Sequence, residues 1–436
     1  MRWLAPFCSL LVLASSLPAQ TTDNTMRDAI RQAYDIPAQL PPLESHLWSS
    51  AEAMPGVSVD RVTYNTADGM VVPALIFRPT RPHKGKLPGM VVVNGHGQDK
   101  YGWYSFYSGL MFAKAGAVVV TYDTIGEGER NAGRKSLSSP SPHDAGAPDG
   151  IPFDAWGRRV AGLMQVDFDQ ALRYLASRPD VDTKRLGAVG FSMGAYITGI
   201  AGAELQDYSP KHPDAPHFHA LLLSGGGTYD DNTGYFDVNK NPCQGPPYRA
   251  LKPLMMRDGK PERGYDIFYL NAKRGPTLVM NGLGDHVMDI PHHDADWFAA
   301  MRARVVATPG LKPENIFTSI TYPATVDHRP SWVTVEGVEW LNKQLHFANW
   351  KTDAEIQAQG TTHISEWVIA NHAQISKNYL VESREGGLHA VGQGFPALTR
   401  EQMTVLPDAE WEKMQSKLTY AAWREKVAAE MLAAAK

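Results

Sequence analysis

Gly190-Phe191-Ser192-Met193-Gly194 decides the reading of this chain. A serine in Gly-x-Ser-x-Gly, set between a strand and a helix, is the pattern of a nucleophile held on a sharp turn at the end of a sheet. The flanks supply that setting: Arg185-Leu186-Gly187-Ala188-Val189 reads as a short buried strand, and Ala195-Tyr196-Ile197-Thr198-Gly199-Ile200-Ala201 continues as a small-residue helix. In such a turn the serine backbone is strained so that its Oγ stands above the sheet, and a side chain at Gly190 or Gly194 would collide with its neighbours. The pattern points to acyl transfer through a serine ester, provided that a base and an acid follow.

On either side of the elbow, apolar runs at residues 90–94, 117–122, 219–223, 276–280 and 317–322 alternate with helical patterns. This predicts a mainly parallel sheet covered on both faces. Two β-rich runs, 57–64 and 70–77, are joined by Ala67-Asp68-Gly69 and read as an antiparallel hairpin ahead of it. Before the elbow, Val160, Leu163, Met164, Phe168, Ala171, Leu172 and Leu175 recur at helical spacing and predict a long helix packed on the sheet. Residues 131–154 and 225–265 interrupt the alternation just after strand ends, where ligands bind in open α/β sheets. They read as substrate-facing loops or as plain surface insertions.

The expected domains are a signal peptide at 1–20, an N-terminal extension at 21–56, a catalytic domain at 57–350 and a mostly helical extension at 351–436. Met1-Arg2 gives a positive start and residues 3–17 are apolar or small, the pattern of a secretory leader cleaved after Ala19 or Gln20. Export to the periplasm or medium is therefore expected, with no stable membrane insertion after cleavage. A formal charge of -4 gives no electrostatic reason to expect a nucleic-acid partner. Oligomeric state is not legible. Cys8 falls in the leader, so Cys243 is the one cysteine of the mature chain and reads as a packed or loop thiol rather than a nucleophile.

A serine hydroxyl needs a histidine base, and the histidine needs an orienting carboxylate. On this kind of sheet the acid and then the histidine follow the nucleophile in chain order. Leu278-Val279-Met280-Asn281-Gly282 ends a strand and Leu283-Gly284-Asp285 opens the loop beyond it, which makes Asp285 the candidate acid, with Asp289 and Asp327 as competitors. Val326-Asp327-His328 follows the last strand, and His328 is the candidate base. For the oxyanion the amide of Met193 is one donor; the second is the amide of His96 in Asn94-Gly95-His96-Gly97, with Gly97 in reserve. His292, His293 and Asp294 read as a solvated helix start rather than a metal cluster, and Gly126-Glu127-Gly128 lacks the third glycine of a dinucleotide loop. Arg130 reads as the partner of a carboxylate that pins the oxyanion loop, or as a contact for an acidic sugar. No metal or organic cofactor is required.

With Asp123-Thr124-Ile125-Gly126-Glu127-Gly128-Glu129-Arg130, Ser177-Arg178-Pro179-Asp180-Val181-Asp182 and Asp327-His328-Arg329-Pro330-Ser331-Trp332, these motifs give a resemblance over about residues 57–350. The chain resembles secreted serine α/β-hydrolases: bacterial acetyl xylan esterases, dienelactone-hydrolase-like proteins and prolyl-oligopeptidase-type domains. Asn94 stands where many relatives carry histidine, and Ser192 where dienelactone hydrolases proper carry cysteine. The resemblance implies an α/β-hydrolase fold with Ser192, Asp285 and His328 as triad. It also implies a carboxylic ester hydrolase acting on a small-molecule or oligosaccharide ester, with acetylated carbohydrate the leading substrate. A prolyl-oligopeptidase-like peptidase and a noncatalytic carbohydrate-binding protein are the alternatives.

Overall fold

The computed structural model describes residues 23–136, 140–205, 218–229, 235–257, 259–288, 295–312, 317–324, 326–328, 330–350 and 400–436. The expected leader, Asp289, and the group His292, His293 and Asp294 lie outside the described residues.

The strands are β1 (His46–Met54), β2 (Val57–Asn65), β3 (Val71–Pro79), β4 (Leu87–Val93), β5 (Val118–Tyr122), β6 (Val181–Phe191) and β7 (Phe218–Ser224). A separate small hairpin, β8 (Met256–Arg257) and β9 (Lys260–Pro261), precedes β10 (Thr277–Gly282) and β11 (Phe317–Tyr322). All but the hairpin form one nine-stranded sheet in the order β1-β2-β3-β5-β4-β6-β7-β10-β11. β1, β2, β3 and β5 pair antiparallel in turn. From β5 through β4, β6, β7 and β10 to β11 every pairing is parallel. The ends of β4, β6, β7, β10 and β11 therefore open on one edge, where open α/β sheets build their sites.

The sheet begins one strand earlier than the sequence predicts. β1 reads His-Leu-Trp-Ser-Ser-Ala-Glu-Ala-Met and is largely exposed, so it carries no core-facing alternation, as suits an edge strand.

Helices cover both faces: α1 (Asp23–Ala33), α2 (Trp103–Ala115), α3 (Phe153–Ser177), α4 (Met193–Glu204), α5 (Tyr235–Val238), α6 (Gly245–Leu251), α7 (Arg263–Arg274), α8 (Ala295–Val306) and α9 (Val335–Leu345). The period of two in β4 divides them. Met90 and Val92 pack with Leu110 and Phe112 of α2 and Leu341 and Leu345 of α9, while Val91 and Val93 pack with Phe168 and Leu172 of α3. Burying a side chain such as Phe168 or Leu172 completely contributes about 1.5 to 3 kcal/mol each. The insertion at 225–265 holds α5, α6 and the small hairpin rather than plain loop.

The C-terminal helices Arg400–Met403, Asp408–Leu418 and Tyr420–Ala434 dock on this body. Glu129 accepts from the amides of Val405 (2.9 Å) and Leu406 (2.8 Å), and its carbonyl accepts from Trp411 Nε1 at 2.8 Å. Trp423 packs beside Trp156 of α3, their ring centroids 5.1 Å apart.

Candidate active site

β6 ends at Phe191 and α4 begins at Met193, so Ser192 alone makes the turn, with φ 55° and ψ -118°. A non-glycine residue held there costs about 1 to 3 kcal/mol, a strain that packing must impose. Ser192 N–H donates to the Ser224 carbonyl (2.9 Å), and the Ser192 carbonyl accepts from Ala195 (2.9 Å) and Tyr196 (3.2 Å). The two glycines permit the close approach: a Cβ on Gly190 would lie 2.1 Å from the Gly194 carbonyl oxygen, and one on Gly194 would lie 2.4 Å from that of Val93. The Ser192 side chain is half-buried.

The candidate acid and base come from the loops after β10 and β11. Leu283 N–H donates to the Tyr322 carbonyl (3.0 Å) and Gly284 N–H to the Val326 carbonyl (2.9 Å), which laces the loop after β10 to the loop after β11. Between them His328 Nδ1 donates to Asp285 Oδ2 at 2.7 Å. Asp285 is wholly buried, and its Oδ1 accepts from the amides of Val287 and Met288, each at 3.0 Å. With each oxygen hydrogen-bonded, it can fix the tautomer of His328 and stabilise its cation. The His328 ring lies 4.6 Å from that of Phe191, the residue before the serine. Downstream, Ser331 N–H donates to Ser224 Oγ (2.7 Å) and Trp332 Nε1 to Ser108 Oγ (2.8 Å), anchoring the histidine loop to β7 and α2.

Asn94-Gly95-His96-Gly97 follows β4. Asn94 Nδ2 donates to the Tyr122 carbonyl (3.0 Å), Ser105 Oγ donates to Asn94 Oδ1, and Gly95 N–H donates to the Tyr104 hydroxyl (2.6 Å). These bonds fix the loop that carries the His96 amide. Met193 N–H belongs to the first turn of α4, where amides have no intrahelical acceptor. A Cβ on Gly194 would lie 2.6 Å from the Asn94 carbonyl oxygen, so the elbow and this loop are in contact.

The motif 123–130 is a buried brace. Asp123 binds Lys100 Nζ at 2.6 Å and Lys100 Nζ binds Glu129 at 2.7 Å. Burial, only partly offset by Lys100, pushes the Asp123 carboxyl up to about 6. Arg130 pairs with Asp167 of α3, both fully buried, which supplies its carboxylate partner.

Sequence reasoning missed the surroundings of His96. Its Nε2 lies 2.9 Å from Asp144 Oδ1, and its ring is edge-on to His143 with centroids 4.9 Å apart. His143 is wholly buried, its Nδ1 donates to the Ile125 carbonyl (2.8 Å), and burial pushes its imidazole down to about 4. Cys243 is buried, the packed one of its two readings, 3.9 Å from the Met193 sulfur, and burial pushes its thiol up. The only advance signal was that His143, Asp144 and Cys243 sit in the two long insertions.

A strained serine at the strand-to-helix turn, on a sheet of this order, defines an α/β-hydrolase, and residues 38–242 match the model of the acetyl xylan esterase (AXE1) family. The chain is a carboxylic ester hydrolase of that fold. Among solved structures it is similar to the methylesterase BT1017, with 19% identity, 94% of this chain and 76% of that one covered, and a TM-score of 0.53. It is also similar to acetyl xylan esterase 1 from Thermoanaerobacterium sp. JW/SL YS485, with 16% identity, 75% and 94% covered, and a TM-score of 0.45. A third is the glucuronoyl esterase from Solibacter usitatus, with 17% identity, 74% and 92% covered, and a TM-score of 0.49. At such identities the likeness is one of fold. No curated protein matches the chain in sequence. Among the described residues no helix is long and apolar enough to cross a membrane.

Proposed function

We propose that this protein is an exported serine esterase that removes acyl groups, acetyl first among them, from carbohydrate. Ser192 Oγ attacks the ester carbonyl while His328 takes its proton; Asp285 holds the imidazole and stabilises its cation; the amides of Met193 and His96 bind the oxyanion. His328 then returns the proton to the leaving alcohol, and water, activated by the same imidazole, releases the acid from the acyl-enzyme. The observation that carries this reading is the 2.7 Å bond from His328 to the buried Asp285, on the same sheet edge as a serine held at φ 55°. The match of residues 38–242 to the acetyl xylan esterase family supports the acyl group and the carbohydrate. The leader pattern of the first twenty residues supports export.

The test is a panel of initial rates on 4-nitrophenyl acetate, acetylated xylo-oligosaccharide, a methyl ester of glucuronic acid and a dipeptidyl 4-nitroanilide. Deacetylation of the oligosaccharide, abolished by Ser192→Ala, is expected. Anilide turnover without ester turnover would instead make the chain a peptidase.

A further inference from the structure

Beside the esterase site, three separate connections bring four metal-ligating side chains together: His96 from the loop after β4, His143 and Asp144 from the insertion after β5, and Cys243 from the insertion after β7. One ring nitrogen of each histidine, a carboxylate oxygen and the cysteine sulfur all lie within 4.8 Å of one another. We propose that they form a structural site for one Zn2+ ion, with all four coordination positions filled by protein.

The hydrogen bonds leave one suitable donor atom on each side chain. His143 Nδ1 is committed to the Ile125 carbonyl, so Nε2 carries the lone pair, and that wholly buried atom has no hydrogen-bond partner. Zinc-ligating histidines are oriented by just such a bond from the other ring nitrogen. Asp144 Oδ2 accepts from Ser141 N–H at 2.7 Å, which leaves Oδ1 to face the cluster. His96 Nε2 lies 2.9 Å from that oxygen, which leaves His143 Nε2 as the ring nitrogen of the cluster without any polar partner. An imidazole nitrogen with nothing to bond to, buried among a second imidazole, a carboxylate and a thiol, is costly unless something occupies the space between them.

The chemistry selects the ion. Two imidazoles, one thiolate and one carboxylate suit Zn2+ and not the oxygen-seeking Mg2+ or Ca2+. Bonds of about 2.0 to 2.3 Å in a tetrahedron set ligand atoms roughly 3.3 to 3.8 Å apart. The cluster therefore closes by about 1 Å at its widest pair, while the His96 and Asp144 atoms open by less than that. On binding, the Cys243 thiol proton leaves to solvent and the sulfur binds as thiolate. With four protein ligands no position remains for a reacting water, so the ion would clamp the His96 loop and the two insertions and take no part in ester cleavage.

Binding is read without reference to turnover. The full chain, stripped with chelator, is titrated with Co2+ and then Zn2+. One Co2+ per chain is expected, with tetrahedral visible bands and a near-ultraviolet sulfur-to-metal charge-transfer band, both lost when Zn2+ displaces it. Cys243→Ser should abolish the charge-transfer band and weaken Zn2+ binding by about 100-fold, and His143→Gln should weaken it comparably, whereas Ser192→Ala should bind as the parent does. Failure of the parent to bind, or Zn2+ affinity unchanged in Cys243→Ser, overturns the site. If His143→Gln does not fold, the cysteine variant decides alone, since serine matches its size. Either result leaves the esterase reading to its own assay.

Discussion

Replacing Gly194 with alanine tests how tightly the elbow and the oxyanion loop are coupled. The new methyl would lie 2.4 Å from the Val93 carbonyl oxygen and 2.6 Å from that of Asn94, where ordinary contact begins near 3.4 Å, and both neighbours are backbone. The start of α4 must therefore move from the end of β4 by about 1 Å, the difference between 3.4 and 2.4 Å. These two segments carry the Met193 and His96 amides, so the gap between the proposed oxyanion donors changes by a similar amount. Misplacement on the scale of 1 Å costs about 100-fold, and loss of one oxyanion donor about 100- to 1,000-fold. We expect Gly194→Ala to lower kcat about 100-fold with kcat/KM falling in parallel, because the affected contacts form in the transition state. The assay is steady-state hydrolysis of 4-nitrophenyl acetate, with near-ultraviolet circular dichroism to verify the fold. A folded variant with the parent's kcat would refute the coupling.

Asp285→Asn should keep the fold but reduce kcat by about 10,000-fold near neutral pH, because the amide supports the wrong tautomer of His328; a loss under tenfold would point to Asp327 or Asp289 as the acid. Lys100→Met should destabilise the protein by about 3 to 5 kcal/mol at pH 8, since Asp123 and Glu129 lose their buried cation. The Asp123 carboxyl, raised to about 6 in the folded state, stays protonated there at pH values where the unfolded chain has released its proton, so its contribution to stability falls as pH rises from about 4 to 6. The penalty of Lys100→Met should accordingly shrink at pH 5, and urea melts showing an equal penalty at both pH values would contradict this.

The candidate catalytic edge is legible in the sequence because each of its parts sits where an apolar run stops. Val189 leads into Ser192, Met280 into Asp285 and Tyr322 into His328, so strand ends and chain order sufficed to propose three residues that are distant in sequence. β1 was hidden because an exposed edge strand has no buried face to impose alternation on Ser49, Ser50 and Glu52. The helix 408–418 was visible from its composition, but its docking partner was not: Glu129 meets Val405 through backbone amides, which any sequence supplies. The cluster around His96 depends on how two irregular insertions fold back, and no local periodicity encodes that. Ser331 and Trp332 belong to the 327–332 motif, yet their work as anchors appears only once β7 and α2 lie beside them.

The nucleophile is identified most directly by treating the protein with a biotinylated fluorophosphonate and locating the adduct by peptide mass spectrometry. A single phosphonylated residue is expected, Ser192, with no adduct in Ser192→Ala and strongly slowed labelling in His328→Ala. A folded, ester-cleaving protein that resists the reagent, or one that carries the adduct on another residue, would contradict it.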